Sequence, residues 1–402
     1  MIKHFIKTIF IIVLSAMLLA SCGNEEPTNP TNKVYSSVDY TKEQLDSSKY
    51  DVEKYTTPFW EGNIVYNECV FPIYSKNGVL KPINLTYNAS EIVSVKNYAL
   101  DIEYEEGKDY YLENGNLVII PNGDIELVGY SYIHREGIPE IEYNDLLINK
   151  DHTGTEYFTP TSLIANKALV VTYVHNDSWP LEIPQSDKKD LKRTLKRLKK
   201  KKDTTIVVTG DSISVGYSSS KIENIPPYAD SYVDMVDKIL TDKYDNPNIK
   251  IVNSSIGGST ASFSYEDLDK TVIQYKPSLV IINYGMNEGL SDISVEEYKN
   301  NINDRIDYIK NKIPNCEILL VTPLVANPNI YDIDLFKLYA ESLYAIKKEW
   351  KGVAVCDPQY ILTGLMEQVN KDYLCFSYDN LAHPNDYGMR IIAQCVLEVL
   401  TE

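Results

Sequence analysis

The sequence predicts an α/β fold: a three-layer domain with a parallel sheet, preceded by a smaller all-β sandwich. Three observations predict it. From residue 203 onward, five short apolar runs alternate with helical stretches, the texture of βαβ units whose sheet is covered on both faces. Residues 34–183 instead show short bursts rich in Tyr, Val and Ile, punctuated by Asn-Gly turns and with weak helical periodicity, which suits a β-sandwich. The chain has 402 residues, 44% of them apolar, enough to bury more than one core.

The first 22 residues stand apart. Lys3 and Lys7 precede an apolar stretch and then small residues, the layout of an export signal and too short for a spanning helix. Leu19-Ala20-Ser21-Cys22 resembles a bacterial lipobox, which implies cleavage before Cys22 and lipidation of its thiol. Residues 23–33, "GNEEPTNPTNK", are polar and aperiodic and read as a flexible tether. Five cysteines remain, Cys69, Cys316, Cys356, Cys375 and Cys395. Their odd number and wide spacing give no disulfide framework and no metal pair. Buried thiols are the plain reading, with one bridge in the last domain as the alternative.

In the β-rich region, "GNLVIIPNGDIELVGYSYI" has the pattern of hairpins and "KALVVTYVH" (167–175) that of a strand. A net charge of −18 argues against nucleic acid as a partner. Residues 188–202, "KKDLKRTLKRLKKKK", break that trend with ten Lys/Arg. Leu191, Leu195 and Leu198 recur at helical spacing, so the 184–202 segment reads as a basic linker helix packed by three leucines. A membrane-surface or polyanion role is the alternative.

Within 203–402 the expected strands are 204–210, 249–256, 278–285, 317–324 and 352–357. The expected helices are Ala229–Leu240, Tyr265–Tyr275, Val295–Lys312, Ile333–Trp350 and Tyr387–Leu400. Function in such folds gathers at the carboxyl ends of the strands. Strand one ends in Gly210-Asp211-Ser212, strand two in "NSSIGGST" and strand three in "YGMNEG"; "YDNLAHPND" precedes the last helix. A hydroxyl, close-approach glycines, an amide and an imidazole thus fall on one rim. Serine is a weak nucleophile until an imidazole takes its proton, and the resulting oxyanion needs preorganised N–H donors. His383 is the only histidine after residue 202, so a general base of this type has no other candidate in the domain.

In order, "GDSIS", "NSSIGGST", "GMNEG" and "DNLAHPND" resemble the four sequence blocks of the SGNH (GDSL) hydrolase family. That resemblance implies a flavodoxin-like α/β/α fold, ester or thioester hydrolysis, and no metal or cofactor. It implies Ser212 as nucleophile, His383 as base, and Ser212, Gly258 and Asn287 as the oxyanion hole. Two positions depart from the family pattern. Glu288 stands where the third block usually has Asp. The Asp usually three residues before the histidine is Asn380 here, and Asp379 lies four before. Asp379 reached through a turn is the favoured orienter of His383; Asn380 or a backbone carbonyl is the alternative. Asp211 reads as a brace for the turn rather than a triad member. The tract after the nucleophile lies near the acyl pocket in such enzymes, which makes Tyr228 a candidate lining residue; a Pro-Pro loop leading into a helix is the equal alternative.

The β-rich region, through "YEEGKDYYLENGNLVIIPNG" and "VTYVHNDSW", more loosely resembles the accessory sandwich of two-domain SGNH carbohydrate esterases. Trp60 and Trp179 are candidates for stacking on sugar, against a plainer reading as core. The resulting expectation is a lipid-anchored cell-envelope esterase, on the outer membrane, acting on acylated carbohydrate. A lipase, a thioesterase or a peptidoglycan O-acetyl esterase on the same fold is the nearer alternative. A catalytically decayed glycan-binding lipoprotein is the more distant one.

Overall fold

The computed structural model describes residues 34–136, 146–148, 154–183 and 188–401. The expected export signal, Cys22 and the tether lie outside them. Residues 35–402 form one compact unit, and among the described residues no helix is long and apolar enough to cross a membrane.

The first half is antiparallel. Its main sheet comprises β1 (Ile64–Val70), β2 (Ala89–Asn97), β3 (Glu103–Tyr104) and, later in the chain, a central Leu169–His175 strand. Its order is β1, Leu169–His175, β2, β3. All seven residues of the central strand are buried, as expected of a strand covered on both faces. A hairpin of β4 (Tyr110–Glu113) and β5 (Asn116–Ile119) turns at Asn114-Gly115, with φ +51° and +80°. Asn-Gly tolerates those angles better than other dipeptides. The remaining strands, β6 (His134–Glu136), β7 (Leu146–Ile148) and β8 (Gly154–Tyr157), make a third sheet. Counting on, the central strand is β9.

The second half holds a five-stranded parallel sheet of β10 (Thr204–Gly210), β11 (Ile249–Asn253), β12 (Leu279–Asn283), β13 (Glu317–Val321) and β14 (Val353–Cys356). The order β11-β10-β12-β13-β14 is the flavodoxin-like arrangement, with its switch point beside β10. Side chains alternate across it. Ile206, Val208 and Ile281 point into one core layer, and Val207, Val280 and Ile282 into the other. Helices Val295–Lys312 and Asp334–Glu349 cover the second face; helices Tyr232–Tyr244, Pro358–Glu367 and Asp386–Leu400 cover the first. The expected strands and helices recur within a few residues of their observed bounds, as end fraying allows. Helix Pro358–Glu367 was not anticipated, although Asp357 caps it and Pro358 opens it, a start signal visible in the sequence. Among the described residues, Cys69, Cys316, Cys356, Cys375 and Cys395 are all buried thiols.

Sheets from the two halves share one core, in which Val171 and Tyr173 of β9 join Val396 and Val399 of the last helix. The junction is polar at its centre. Lys371, in the loop after helix Pro358–Glu367, meets Glu68 of β1 at 2.6 Å, with side chains 1% and 0% exposed. Burial opposes the ammonium charge, but Glu68 outweighs it and keeps the Lys371 pKa raised. Glu68 also accepts from the Thr86 N–H (2.8 Å) and the Tyr173 hydroxyl (2.6 Å). Arg390, fully buried on the last helix, lies over the Phe59 ring and donates to the Tyr66 carbonyl. Gln394, one turn on, donates to the carbonyls of Tyr55 and Thr57.

Deleting one member of a buried pair leaves the other charge uncompensated. Lys371→Ala is therefore expected to cost about 3–5 kcal/mol of folding free energy, measured by urea denaturation of residues 35–402. A cost no larger than that of an exposed Lys→Ala control would refute this account of the junction.

Candidate active site

The site is assembled at the carboxyl edge of the parallel sheet. Strand β10 runs into Asp211, which caps a single helical turn, Ser212–Val215, by accepting the Ile213 N–H at 2.9 Å. Ser212 is the first residue of that turn, so its own N–H has no intrahelical acceptor. Gly210 just before it cannot be larger, because a Cβ would lie 2.4 Å from Ser214 Oγ and 2.5 Å from the Asn283 carbonyl. Strand and turn approach too closely for any side chain.

Ser212 Oγ lies 2.9 Å from His383 Nε2, and His383 Nδ1 lies 2.7 Å from Asp379 Oδ2. With the Nδ1 proton directed at the carboxylate, Nε2 is left to accept the serine proton. The other Asp379 oxygen accepts the backbone N–H groups of Leu381 (2.8 Å), Ala382 (3.0 Å) and His383 (3.2 Å). The carboxylate is thus fixed before it meets the ring. A residue four positions before the histidine reaches it because Asn380 sits at φ +62°, a left-handed conformation that Asn tolerates better than most residues. Asn380 itself turns away. Its side chain accepts from Asn327 at 2.9 Å and donates to the Tyr157 carbonyl at 3.0 Å. Of the candidate orienters, the structure brings Asp379 to the imidazole and sends Asn380 toward the β-rich half.

Burial disfavours the imidazolium, yet the hydrogen bond and charge of Asp379, with Asp211 and Glu223 beyond, leave the His383 pKa raised. Asp211 is wholly buried, and burial reinforced by the Glu288 charge pushes its carboxyl up to about 7.

Gly258 and Asn287 flank the serine turn on the neighbouring strands. Gly258 follows β11 with φ +75° and open space where a Cβ would project. Asn287 lies in the turn Met286–Leu290 after β12, and its Nδ2 donates to the Ser259 carbonyl at 2.9 Å. That bond ties the amide to the glycine loop. Glu288, where the sequence departs from the family pattern, is fully buried and accepts the Ala261 N–H at 2.6 Å. Arg305 donates to the Ala261 carbonyl from its Nε (3.2 Å) and a terminal nitrogen (3.1 Å). The longer acid thus braces the far end of the same loop.

Tyr228 is 52% exposed at φ +60°, and its described hydrogen bond goes to Ile225. Tyr217 stands closer to the serine. Its N–H donates to the Ser212 carbonyl (3.1 Å), and its ring packs where a Cβ on Gly257 would lie 2.8 Å away. It is 45% exposed. Sequence reasoning passed over it, although it follows the serine by five residues in "GDSISVGY". Trp60 and Trp179 meet edge to face with ring centroids 6.0 Å apart, partly buried against the core. Among the described residues no cluster of three His, Cys, Asp or Glu could hold a metal ion.

A hydroxyl–imidazole–carboxylate chain on a doubly wound sheet defines the class as an α/β fold with a nucleophilic serine arrangement. Residues 208–391 match the GDSL-like Lipase/Acylhydrolase family. An arylesterase of Vibrio mimicus is 26% identical over 116 residues, 29% of this chain and 54% of that protein. The thioesterase 1/protease 1/lysophospholipase L1 of Escherichia coli is 25% identical over 163 residues, 36% of this chain and 71% of that one. The chain therefore spans about half the length of the first of these curated relatives, and more of the second. Among solved structures, an acetylxylan esterase from Geobacillus stearothermophilus matches at 22% identity and a TM-score of 0.40, covering 50% of this chain and 95% of its own.

Asp379→Asn is expected to lower kcat by about 10⁴, since an amide favours the wrong tautomer. Adding Asn380→Asp should not restore it, because that side chain faces Asn327 and Tyr157. In the intact protein, kcat/KM should rise with pH through a midpoint above the usual 6.5 of histidine, because the base works only when neutral. Any residual Asp379→Asn activity should show that midpoint displaced downward. Rescue by the double substitution would refute the assignment.

Proposed function

We propose that this chain is a serine esterase of the SGNH type that removes acetyl groups from carbohydrate. The observation that carries the reading is the continuous hydrogen-bonded chain from Ser212 through His383 to Asp379. Ser212 Oγ attacks the ester carbonyl as His383 Nε2 takes its proton. The oxyanion draws on the N–H groups of Ser212 and Gly258 and the Asn287 amide. The C–O bond to the sugar then breaks, and His383 returns its proton to the leaving hydroxyl. Water, deprotonated by the same imidazole, attacks the acyl-serine and releases acetate.

Two features support a sugar ester. Tyr217 offers a half-exposed ring beside the glycine loop, suited to packing against a pyranose face. The tract after Ser212 is also mostly small and polar, which favours a short acyl group. Exposed Ile222 and Ile256 in the same neighbourhood favour the second reading, a lipid or acyl-thioester substrate. The proposal extends to location: an exported chain in the bacterial cell envelope, lipid-anchored through Cys22.

The purified protein should hydrolyse a short-chain activated ester, and Ser212→Ala or His383→Ala should each remove about 10⁴-fold or more of that turnover. Equal rates for wild type and Ser212→Ala would end the proposal. Acetate release from acetylated xylan, mannan, pectin and peptidoglycan identifies the substrate, and a preference for acyl chains beyond about eight carbons would favour the lipid reading. Metabolic labelling with palmitate, lost in Cys22→Ser, tests the anchor.

A further inference from the structure

The basic segment takes no part in the chemistry above. Its helix, Lys192–Lys199, buries Leu195 and Leu198, and Leu191 immediately before it is buried too. All three leucines are committed to the core, so the helix has no apolar stripe left to insert anywhere. What it shows to solvent is charge: Lys192, Arg193, Lys196, Lys199 and Lys200 are all exposed.

The surroundings extend that charge. Arg193, Lys196, Arg197, Lys200 and Lys202 form one wall of an open cleft of about 580 Å³, with Pro277, Ser278 and Asn315 among those opposite. On the other flank Lys310 and Lys351 join Lys189, Lys192 and Arg193. Among the described residues, several carboxylates approach this surface. Glu317 is buried and accepts the Arg193 and Thr194 N–H groups. Lys188 pairs with Glu398, Lys201 with Asp245 and Lys347 with Asp190. Lys192, Arg193, Lys196 and Lys200 of the helix and its end add exposed positive charge to the same face.

Its place in the fold is defined. Thr204, Leu279, Glu317 and Val353 begin β10, β12, β13 and β14, and the residues just before them line or adjoin this basic surface. It therefore lies at the amino edge of the parallel sheet. Ser212 lies past the carboxyl edge, and the seven residues of β10 between them span roughly 20 Å.

We propose that this basic face docks on the anionic phosphate headgroups of a lipid bilayer, with the serine rim directed away from the lipid. Charge complementarity selects that partner. A cluster of this many Lys/Arg around a helix with no insertable face suits binding by headgroup attraction alone. The rest of an acidic chain is repelled by the same surface, so the patch sets orientation as well as contact. The surface stands independently of both the esterase reading and the Cys22 reading.

The test uses residues 35–402, the compact unit, which lacks the apolar leader and Cys22. Sedimentation with vesicles of phosphatidylglycerol and phosphatidylethanolamine is compared with vesicles of phosphatidylcholine and phosphatidylethanolamine. Binding is expected to the anionic vesicles only, and to disappear in about 0.5 M NaCl, where charges are screened within a few ångströms. Lys192→Gln, Lys196→Gln, Lys199→Gln and Lys200→Gln combined should weaken it on the order of a thousandfold, with the thermal unfolding midpoint unchanged as the check on folding. Three results would overturn the proposal: no binding to anionic vesicles, binding indifferent to the four substitutions, or binding to soluble polygalacturonate in place of vesicles, which would mark an acidic-glycan surface.

Discussion

An ion pair shut away from water holds the two halves of this molecule together, and the position of the histidine depends on it. Glu68 belongs to β1 of the antiparallel half, whereas Lys371 begins the loop that carries Asp379 and His383. Such a pair is no great source of stability, since desolvation offsets much of its attraction. What it provides is position, because neither charge can leave its partner without a large penalty. Around it the same loop is held by the Thr159 N–H on the Asp379 carbonyl and by Asn380 on Tyr157. The β-rich half thus forms the outer wall of the loop that presents His383.

The electrostatics at the rim follow from burial. Asp211 and Glu288 are both enclosed, close to the serine turn and to one another. Two enclosed carboxylates resist joint ionisation, and it is Asp379 that touches the imidazole. Glu288 also ties the Asn287 turn to the glycine loop through the Ala261 N–H.

Much of this was legible in the sequence. The strand ends were readable because apolar runs stop sharply at Gly, Asn and Ser, and the histidine because the domain offers only one. The leucine spacing of the basic segment also gave its buried face, although the helix is shorter than the charged run and ends before Lys201, at φ +49°. Two things were not legible. Which residue orients the imidazole depends on the backbone angle of Asn380, and an Asp-Asn dipeptide permits several. The junction between halves rests on pairs such as Glu68 with Lys371 and Tyr66 with Arg390, about 300 residues apart in the chain. No local pattern announces such pairs. Glu288 illustrates a third case: an apparent departure from the motif is a longer arm that reaches Ala261.

The five sulfhydryl groups give the chain a built-in gauge of its own integrity. Reaction with disulfides, peroxide or alkylating agents proceeds through the thiolate. Burial drives the Cys316 and Cys375 groups up to about 12 and raises Cys69 and Cys395 as well. The described residues therefore offer an oxidant almost no reactive sulfur, and each of these side chains becomes available only when its surroundings open. Cys69 and Cys375 report on the seam between the halves, and Cys316, Cys356 and Cys395 on the sheet and its last helix. The order in which they are labelled would trace the order in which the molecule comes apart.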